Sequence, residues 1–252
     1  MKKLKVSLLD YTGSGRLDAS HYAAALLVFT KNTRLTMNPE GLRKYLDMPI
    51  AELWKELEYM ANTIPSSWEF VDYTFVIEDV TRAFTHQFVR TRTASFAQQT
   101  MRVLDVSEGP GWDYLTGPSI VESEGLQHIY DQGMSFTDTV YKELIKNGAA
   151  IEDARGILPT NILTNIVAKM NMRTFVDVVR KRSSSRTQGE YRDVLEDMKT
   201  AVRAVHPWID LFIERTFDKA ANDLDNHIRQ LPISIEEKRF MIKLIDQMRA
   251  LS

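Results

Sequence analysis

Residues Phe70 to Glu78 read FVDYTFVIE, an alternation of aromatic and β-branched side chains with polar ones that suits a pleated, half-buried strand and not a helix. Such a strand needs neighbours for its backbone and a layer of side chains over its apolar face. Leu4 to Leu9 reads as an opening strand, stopped by the turn formers Thr12-Gly13-Ser14-Gly15, and Asn161 to Met170 is β-branched and apolar. Helical spacing fills most of the remainder. Asp18 can cap a helix through His21 to Phe29, and Pro49 precedes one over Ala51 to Ala61, with Leu53, Trp54, Leu57 and Met60 on one side. Further helices are predicted over Val80 to Val89, Glu122 to Lys146 (ended by Asn147-Gly148), Glu152 to Pro159, Arg173 to Arg182 and Gly189 to Val205, the last two separated by Ser183 to Ser185. Ser107 to Pro118, with Gly109-Pro110-Gly111 and Gly117-Pro118, reads as a loop or short strand pair, and the chain after Pro207 is amphipathic and helical, interrupted by Pro232. The fold class expected is α+β, a mixed sheet packed with long helices. One domain is expected over residues 1–206, with a helical C-terminal extension over 207–252.

With 252 residues, 44% of them hydrophobic, the chain can bury a substantial core. Its net charge of −2 argues against whole-surface attraction to nucleic acid or membrane, so clusters of arginine must be read as pockets or ion pairs. The absence of cysteine removes disulfides, thiolate nucleophiles and cysteine metal sites together. The apolar run at Val6 to Leu9 is too short for a signal or membrane-spanning segment, so a cytoplasmic protein is expected. His21, His86, His128, His206 and His227 show no paired metal-ligand spacing, and no metal is expected. There is no G-x-S-x-G elbow, no P-loop and no G-x-G-x-x-G fingerprint.

Two stretches depart from ordinary core or surface patterning. Gln87 to Arg102 (QFVRTRTASFAQQTMR) and Ala154 to Arg192 both set closely spaced arginines beside amides and hydroxyls, and both fall at the ends of predicted elements. Arginine presents a planar, permanently charged fork of donors that matches phosphate oxygens, and Ser, Thr, Gln and Asn fill the remaining hydrogen-bond positions around a nucleotide. Solvated surface residues and exposed ion pairs account for such spacing as well, and Arg173 and Asp177 stand at the i, i+4 separation that permits a helix-surface salt bridge.

The order of residues in both stretches resembles one family, the flavin-dependent thymidylate synthases. Arg90-Thr91-Arg92-Thr93-Ala94-Ser95-Phe96-Ala97-Gln98-Gln99-Thr100-Met101-Arg102 is similar to the signature R-H-R-x-x-S-x-N/S-x-x-S-x-R, and Thr74-Phe75 and Thr85-His86-Gln87 fit its lead-in. Ala154-Arg155-Gly156-Ile157-Leu158-Pro159, Thr164, Asn171-x-Arg173, Arg182 and Gln188-x-Glu190 follow in the family's order. The resemblance implies the family's single-domain fold. It also implies a homotetramer with active sites shared between subunits, where FAD and dUMP bind and uracil C5 is reductively methylated with methylenetetrahydrofolate and NADPH.

By that resemblance Gln87, Arg90, Gln98, Gln99, Thr100, Met101, Arg102 and Arg155 would bind the nucleotide substrate, with Arg102 and Arg155 on its phosphate. Arg182 would be the catalytic residue, lying against the pyrimidine and favouring ionisation at N3. Ser66, Arg90, Thr91, Arg92, Gln98, Asn171, Arg173 and Asp177 would contact FAD. Thr91 replaces the signature histidine, Ala97 the usual polar residue, Thr100 the second serine and Asp177 the usual His or Asn. Ile64 and Phe70 stand where the family has two histidines near the flavin. The resemblance also implies alternatives, a hydroxymethylase acting on dUMP or dCMP and an inactive nucleotide-binding protein.

Overall fold

The computed structural model describes residues 4–35, 37–102, 112–182, 189–214, 224–225, 227–228 and 230–251. The expected turn at Gly109 to Gly111, the break at Ser183 to Ser185, Gln188 and part of the helical stretch expected after Pro207 lie outside them. The chain divides into two compact units, one of residues 1–11 and 72–201, the other of residues 12–71 and 202–252.

The first unit is built on four strands: β1 (Lys5–Tyr11), β2 (Asp72–Thr81), β3 (Ala94–Gln98) and β4 (Leu163–Asn171), in the order β1-β2-β4-β3. All neighbours pair antiparallel, which corrects the expected mixed sheet. Strand β3, which the sequence reading leaves unassigned, runs the same way as β2 and is joined to it through a helix, α4 (Arg82–Phe88). A strand, helix, strand order reads as a parallel pair. Here β4 slots between them in the opposite direction and pairs with both.

Alternation along β2 buries Tyr73, Phe75 and Ile77, which lie opposite Met170, Ala168 and Ile166 of β4 in register. Helix α8 (Met172–Arg182) follows β4 directly and covers this face with Met172, Phe175, Val176 and Val179, at i, i+3, i+4 and i+7. The Phe175 ring packs edge-on to Tyr73 at 5.6 Å and stacks on Phe75 at 6.0 Å. A large aromatic payload thus fixes α8 over the centre of the sheet.

Strand β2 runs on past the expected Glu78 and the helix begins at Arg82 instead of Val80. A register shift between Ile77 and Val80 explains this: Asp79 takes φ +56°, its N–H donates to Asn165 Oδ1 at 2.9 Å, and pairing resumes at Val80 and Thr81. Asp tolerates the left-handed region better than a β-branched residue. Thr81 then caps α4, its Oγ1 accepting from the Phe84 N–H.

The remaining helices of this unit are α5 (Pro118–Val121), α6 (Glu124–Lys146), α7 (Ile151–Ala154) and α9 (Gly189–Val205). Helix α6 ends as expected at Asn147, with Gly148 at φ +86°, and the expected Glu152 to Pro159 helix is short, α7 passing into a 3-10 turn over Arg155–Ile157.

The second unit is helical: α1 (Ala19–Lys31), α2 (Pro39–Leu46), α3 (Ile50–Met60), α10 (Asp210–Ile213) and α11 (Ile235–Leu251). Asp18 caps α1 as expected, Oδ1 accepting from the His21 N–H at 2.8 Å. Ala23, Ala24, Leu27 and Val28 of α1 and Leu53, Leu57 and Met60 of α3 are fully buried. Trp68 meets Phe212 edge-on at 5.1 Å, and the Trp208 indole stacks on buried His206 at 4.9 Å. Gly13 is required at its turn: φ is +96°, and a Cβ there would stand 2.8 Å from the Ala19 carbonyl oxygen. Among the described residues no helix is long and apolar enough to cross a membrane.

Candidate functional site

The two arginine-rich stretches meet at the two ends of β3. At its start, Arg90 and Thr91 close the turn after α4 through N–H bonds to the Gln87 and Phe88 carbonyls, and Ala94 enters the sheet opposite Met170. Because β4 runs straight into α8, that pairing brings residues 90–93 beside the helix. Thr174 Oγ1 donates to Thr93 Oγ1 at 2.9 Å. Thr174, Asp177, Val178, Lys181 and Arg182 are spaced i, i+3, i+4, i+7 and i+8, one face of α8, and with Gln87, Arg90, Thr91, Arg92, Thr93 and Tyr191 they line a cavity of about 250 Å³. Four of these side chains are cations against the single carboxylate of Asp177, whose Oδ2 faces Lys181 Nζ at 3.9 Å. The cavity therefore favours an anion.

Tyr191 forms the floor. Its ring is 1% exposed and lies 5.4 Å from the Arg182 guanidinium carbon, over the ring face. Burial pushes the phenol up from its ordinary value, with Arg182 and the Thr91 hydroxyl pulling the other way, so the phenol is neutral at physiological pH.

At the far end of β3, roughly 14 Å away at strand rise, a second polar group assembles. Gln98 Nε2 donates to Thr85 Oγ1 at 3.0 Å, the Gln99 N–H to the Asn165 carbonyl at 2.9 Å, and the Arg102 N–H to Thr100 Oγ1 at 3.0 Å. Arg82 Nη2 donates to the Gln99 carbonyl at 2.9 Å. Arg102 Nε reaches Glu152 Oε2 at 2.7 Å, and Arg155 Nε reaches the carbonyl of the same Glu152 at 3.1 Å. Of these three guanidinium groups only Arg102 pairs with the Glu152 carboxylate, while Arg155 bonds the backbone carbonyl of that residue. The Arg82 Nε is buried without a hydrogen-bond partner, and its pKa is lowered by burial and then by the neighbouring Arg155 charge. A charged donor left unsatisfied is costly, and an oxyanion relieves both the missing bond and the repulsion.

The expected site residues therefore fall into groups. Gln87, Arg90, Thr91, Arg92, Asp177 and Arg182 share the first cavity, whereas Gln98, Gln99, Thr100, Met101, Arg102 and Arg155 belong to the other end of β3. Asn171 caps α8, its Oδ1 accepting from the Thr174 N–H at 2.9 Å, and Arg173 is exposed in the first turn. Ser66 is exposed in the second unit, in a 3-10 turn over Pro65–Phe70. Sequence reading missed Arg82, Thr93, Glu152, Thr174, Lys181 and Tyr191. Only Lys181 carried a local signal, its place in the basic Arg180-Lys181-Arg182 run.

Comparison with known proteins identifies the family. The family described as thymidylate synthase complementing protein matches residues 7–208. The flavin-dependent thymidylate synthase of Sulfurisphaera tokodaii is 33% identical over 239 residues, 93% of this chain and 85% of that protein. That of Clostridium tetani is 29% identical over 81% of this chain and 84% of its own length. The Nitratidesulfovibrio vulgaris protein of the same name is 37% identical over 147 residues, and there the match spans 55% of this chain and only 59% of the relative. A match over residues 7–208, together with relatives aligned along most of both chains, means that this chain belongs to the flavin-dependent thymidylate synthase family.

Proposed function

We propose that the protein forms dTMP from dUMP, taking the one-carbon unit from methylenetetrahydrofolate and reducing equivalents from NADPH, with FAD as its bound cofactor. The observation that carries this reading is a pair of cationic subsites at opposite ends of one short strand, in a chain of this family. Arg82, Arg102 and Arg155 suit the nucleotide phosphate. Gln87, Arg90 and the Gln98 to Met101 segment fix the nucleotide, and Arg182 sets a permanent positive charge near the pyrimidine, where N3 ionisation raises electron density at C5.

The first cavity suits the diphosphate of a flavin in charge, with Arg90, Arg92 and Lys181 as donors. Its volume, about 250 Å³, lies below the ~300–1,000 Å³ usual for ligand pockets. In this reading a second copy supplies the missing walls, as a homotetramer with shared sites requires. Helix α6 supports it too, presenting exposed Leu126, Ile129 and Phe136 at heptad-like spacing. A bound flavin, once reduced by NADPH, would supply the hydride, while the protein orients the reactants and stabilises charge. Thr91, Asn171, Arg173 and Asp177 complete the flavin contacts in this reading.

Incubating the purified protein with dUMP, methylenetetrahydrofolate and NADPH, followed by mass spectrometry of the nucleotide, tests the proposal. A yellow protein and a product heavier by the methyl group are expected. Colourless protein that takes up no added FAD, or a product carrying hydroxymethyl, overturns it. Arg182→Ala abolishes turnover and keeps FAD.

A further inference from the structure

The guanidinium of Arg182 sits on the last residue of α8, half-buried, next to the like charge of Lys181. An arginine side chain that is free to turn loses rotamer entropy when it is fixed, so a directed role at a pyrimidine needs something to hold it. Among the described residues the face of the Tyr191 ring does so, at 5.4 Å from the guanidinium carbon and within the ~6 Å reach of a cation–π contact. A cation–π contact consumes none of the five N–H donors of the guanidinium, which remain for a ligand.

Tyr191 is itself immobilised. Phe84 meets its ring edge-on at 5.0 Å and Phe88 does so at 6.0 Å, both from α4, the helix that carries Gln87. Phe84 and Phe88 stack at 5.1 Å, and Phe96 of β3 closes the cluster edge-on to Phe88 at 5.2 Å. The preceding residue, Glu190, accepts from Thr81 N–H at 2.7 Å and Thr81 Oγ1 at 2.6 Å, which ties the start of α9 to the cap of α4. An aromatic floor anchored to β2 and β3 therefore ends in one ring face under Arg182.

We infer that Tyr191 is a positioning residue of the reaction, its buried ring holding the Arg182 guanidinium in the plane from which it meets the pyrimidine. The inference rests on the proposed thymidylate synthase reading for the identity of the ligand. It makes no use of the phenol oxygen as an acid or base. The ring face carries the role and the hydroxyl does not.

The test uses FAD-loaded protein and the variants Tyr191→Phe, Tyr191→Met and Tyr191→Leu, each alone and combined with Arg182→Ala. Turnover is measured with dUMP, methylenetetrahydrofolate and NADPH, and dUMP affinity by the change in flavin absorbance. Tyr191→Phe is expected to stay within threefold of the parent in kcat. Tyr191→Met and Tyr191→Leu are expected to lose at least tenfold in kcat and to weaken dUMP binding at least fivefold at unchanged FAD content, whereas the same changes made on Arg182→Ala are expected to alter the dUMP Kd by less than twofold. Equal effects of Tyr191→Met on Kd in both backgrounds overturn the inference, because the residue then does not act through Arg182. So does a Phe variant as impaired as the Met variant. Should the Met and Leu variants misfold, a tenfold loss in the Phe variant overturns it and retained activity upholds the ring-only role. Absence of dTMP from the parent protein sinks the proposed reaction, while the dUMP affinity cycle still reads the coupling of Tyr191 to Arg182.

Discussion

Arg102 Nε donates to Glu152 Oε2 at 2.7 Å, so a carboxylate holds the guanidinium that the family resemblance assigns to the substrate phosphate. Both side chains are largely exposed, 68% and 49%, and an exposed pair contributes about 0–1 kcal/mol. A phosphate dianion displaces it at little cost. Glu152→Gln is therefore expected to move the melting temperature by no more than ~4 °C and to tighten dUMP binding by roughly threefold. A tenfold loss of affinity in titration would instead make Glu152 a ligand.

Arg82 has a larger role than its place at the start of a seven-residue helix suggests. It holds the Gln99 carbonyl and carries a buried, unpartnered Nε beside Arg155. Replacing it with Gln removes a charged donor from the anion subsite and loosens the Gln98 to Arg102 segment. The expected weakening of dUMP binding is about tenfold or more, the range for one charged hydrogen bond. Isothermal titration reads it, and unchanged affinity would show that Arg82 supports the loop alone.

Glu190 ties α9 to the cap of α4 with two short bonds to Thr81, whose residue is 2% exposed. Glu190→Ala strands the Thr81 N–H and hydroxyl, a loss of about 2–3 kcal/mol. The melting temperature should fall by roughly 5–10 °C. Calorimetry that finds no change would mean water substitutes fully for the carboxylate.

His206 ties acid stability to the second unit. Its ring is fully buried against Trp208, its Nε2 bonds the Thr12 carbonyl oxygen at 3.1 Å, and burial lowers its pKa to about 4, partly opposed by backbone hydrogen bonds at Thr12 and Ala19. Above the unfolded-state value near 6.5 the group is neutral in both states and contributes no pH dependence. As pH falls from 6.5 toward 4 the unfolded chain takes up a proton that the folded chain refuses, so stability drops by up to ~1.4 kcal/mol per unit, about 3 kcal/mol in all. Urea unfolding between pH 4 and 8 should show this slope, and His206→Gln should flatten it.

Local chemistry made much of the architecture legible. The Asp18 cap, the helix after Pro49, the alternation of Tyr73, Phe75 and Ile77 and the stop at Asn147-Gly148 each depend on neighbours a few residues away. Strand β3 is not legible in the sequence, because Ala94 to Gln98 lies inside a run dominated by arginines, amides and hydroxyls, and nothing near it announces that β4 enters between it and β2 with all pairs antiparallel. The start of α4 was misplaced by two residues because the Asp79 bulge uses an Asn165 side chain 86 positions away. Within the candidate site, the arginines stood out as an anomaly of composition. Arg82 and Tyr191 did not, since one opens a short helix and the other reads as an apolar position of α9.

The sequence alone determined most of the element types, the family and the cationic character of both stretches, since periodicity, capping and residue spacing are properties of short segments. Only the tertiary structure decided that the first stretch splits between two ends of β3. The register Ala94 with Met170 and Gln98 with Ile166 delivers Arg90 and Arg92 to α8, and it separates them from the Arg82, Arg102 and Arg155 group. Which side chains share a cavity follows from strand pairing between residues some 70 positions apart. That pairing is selected by burial of the whole sheet, and no local spacing encodes it.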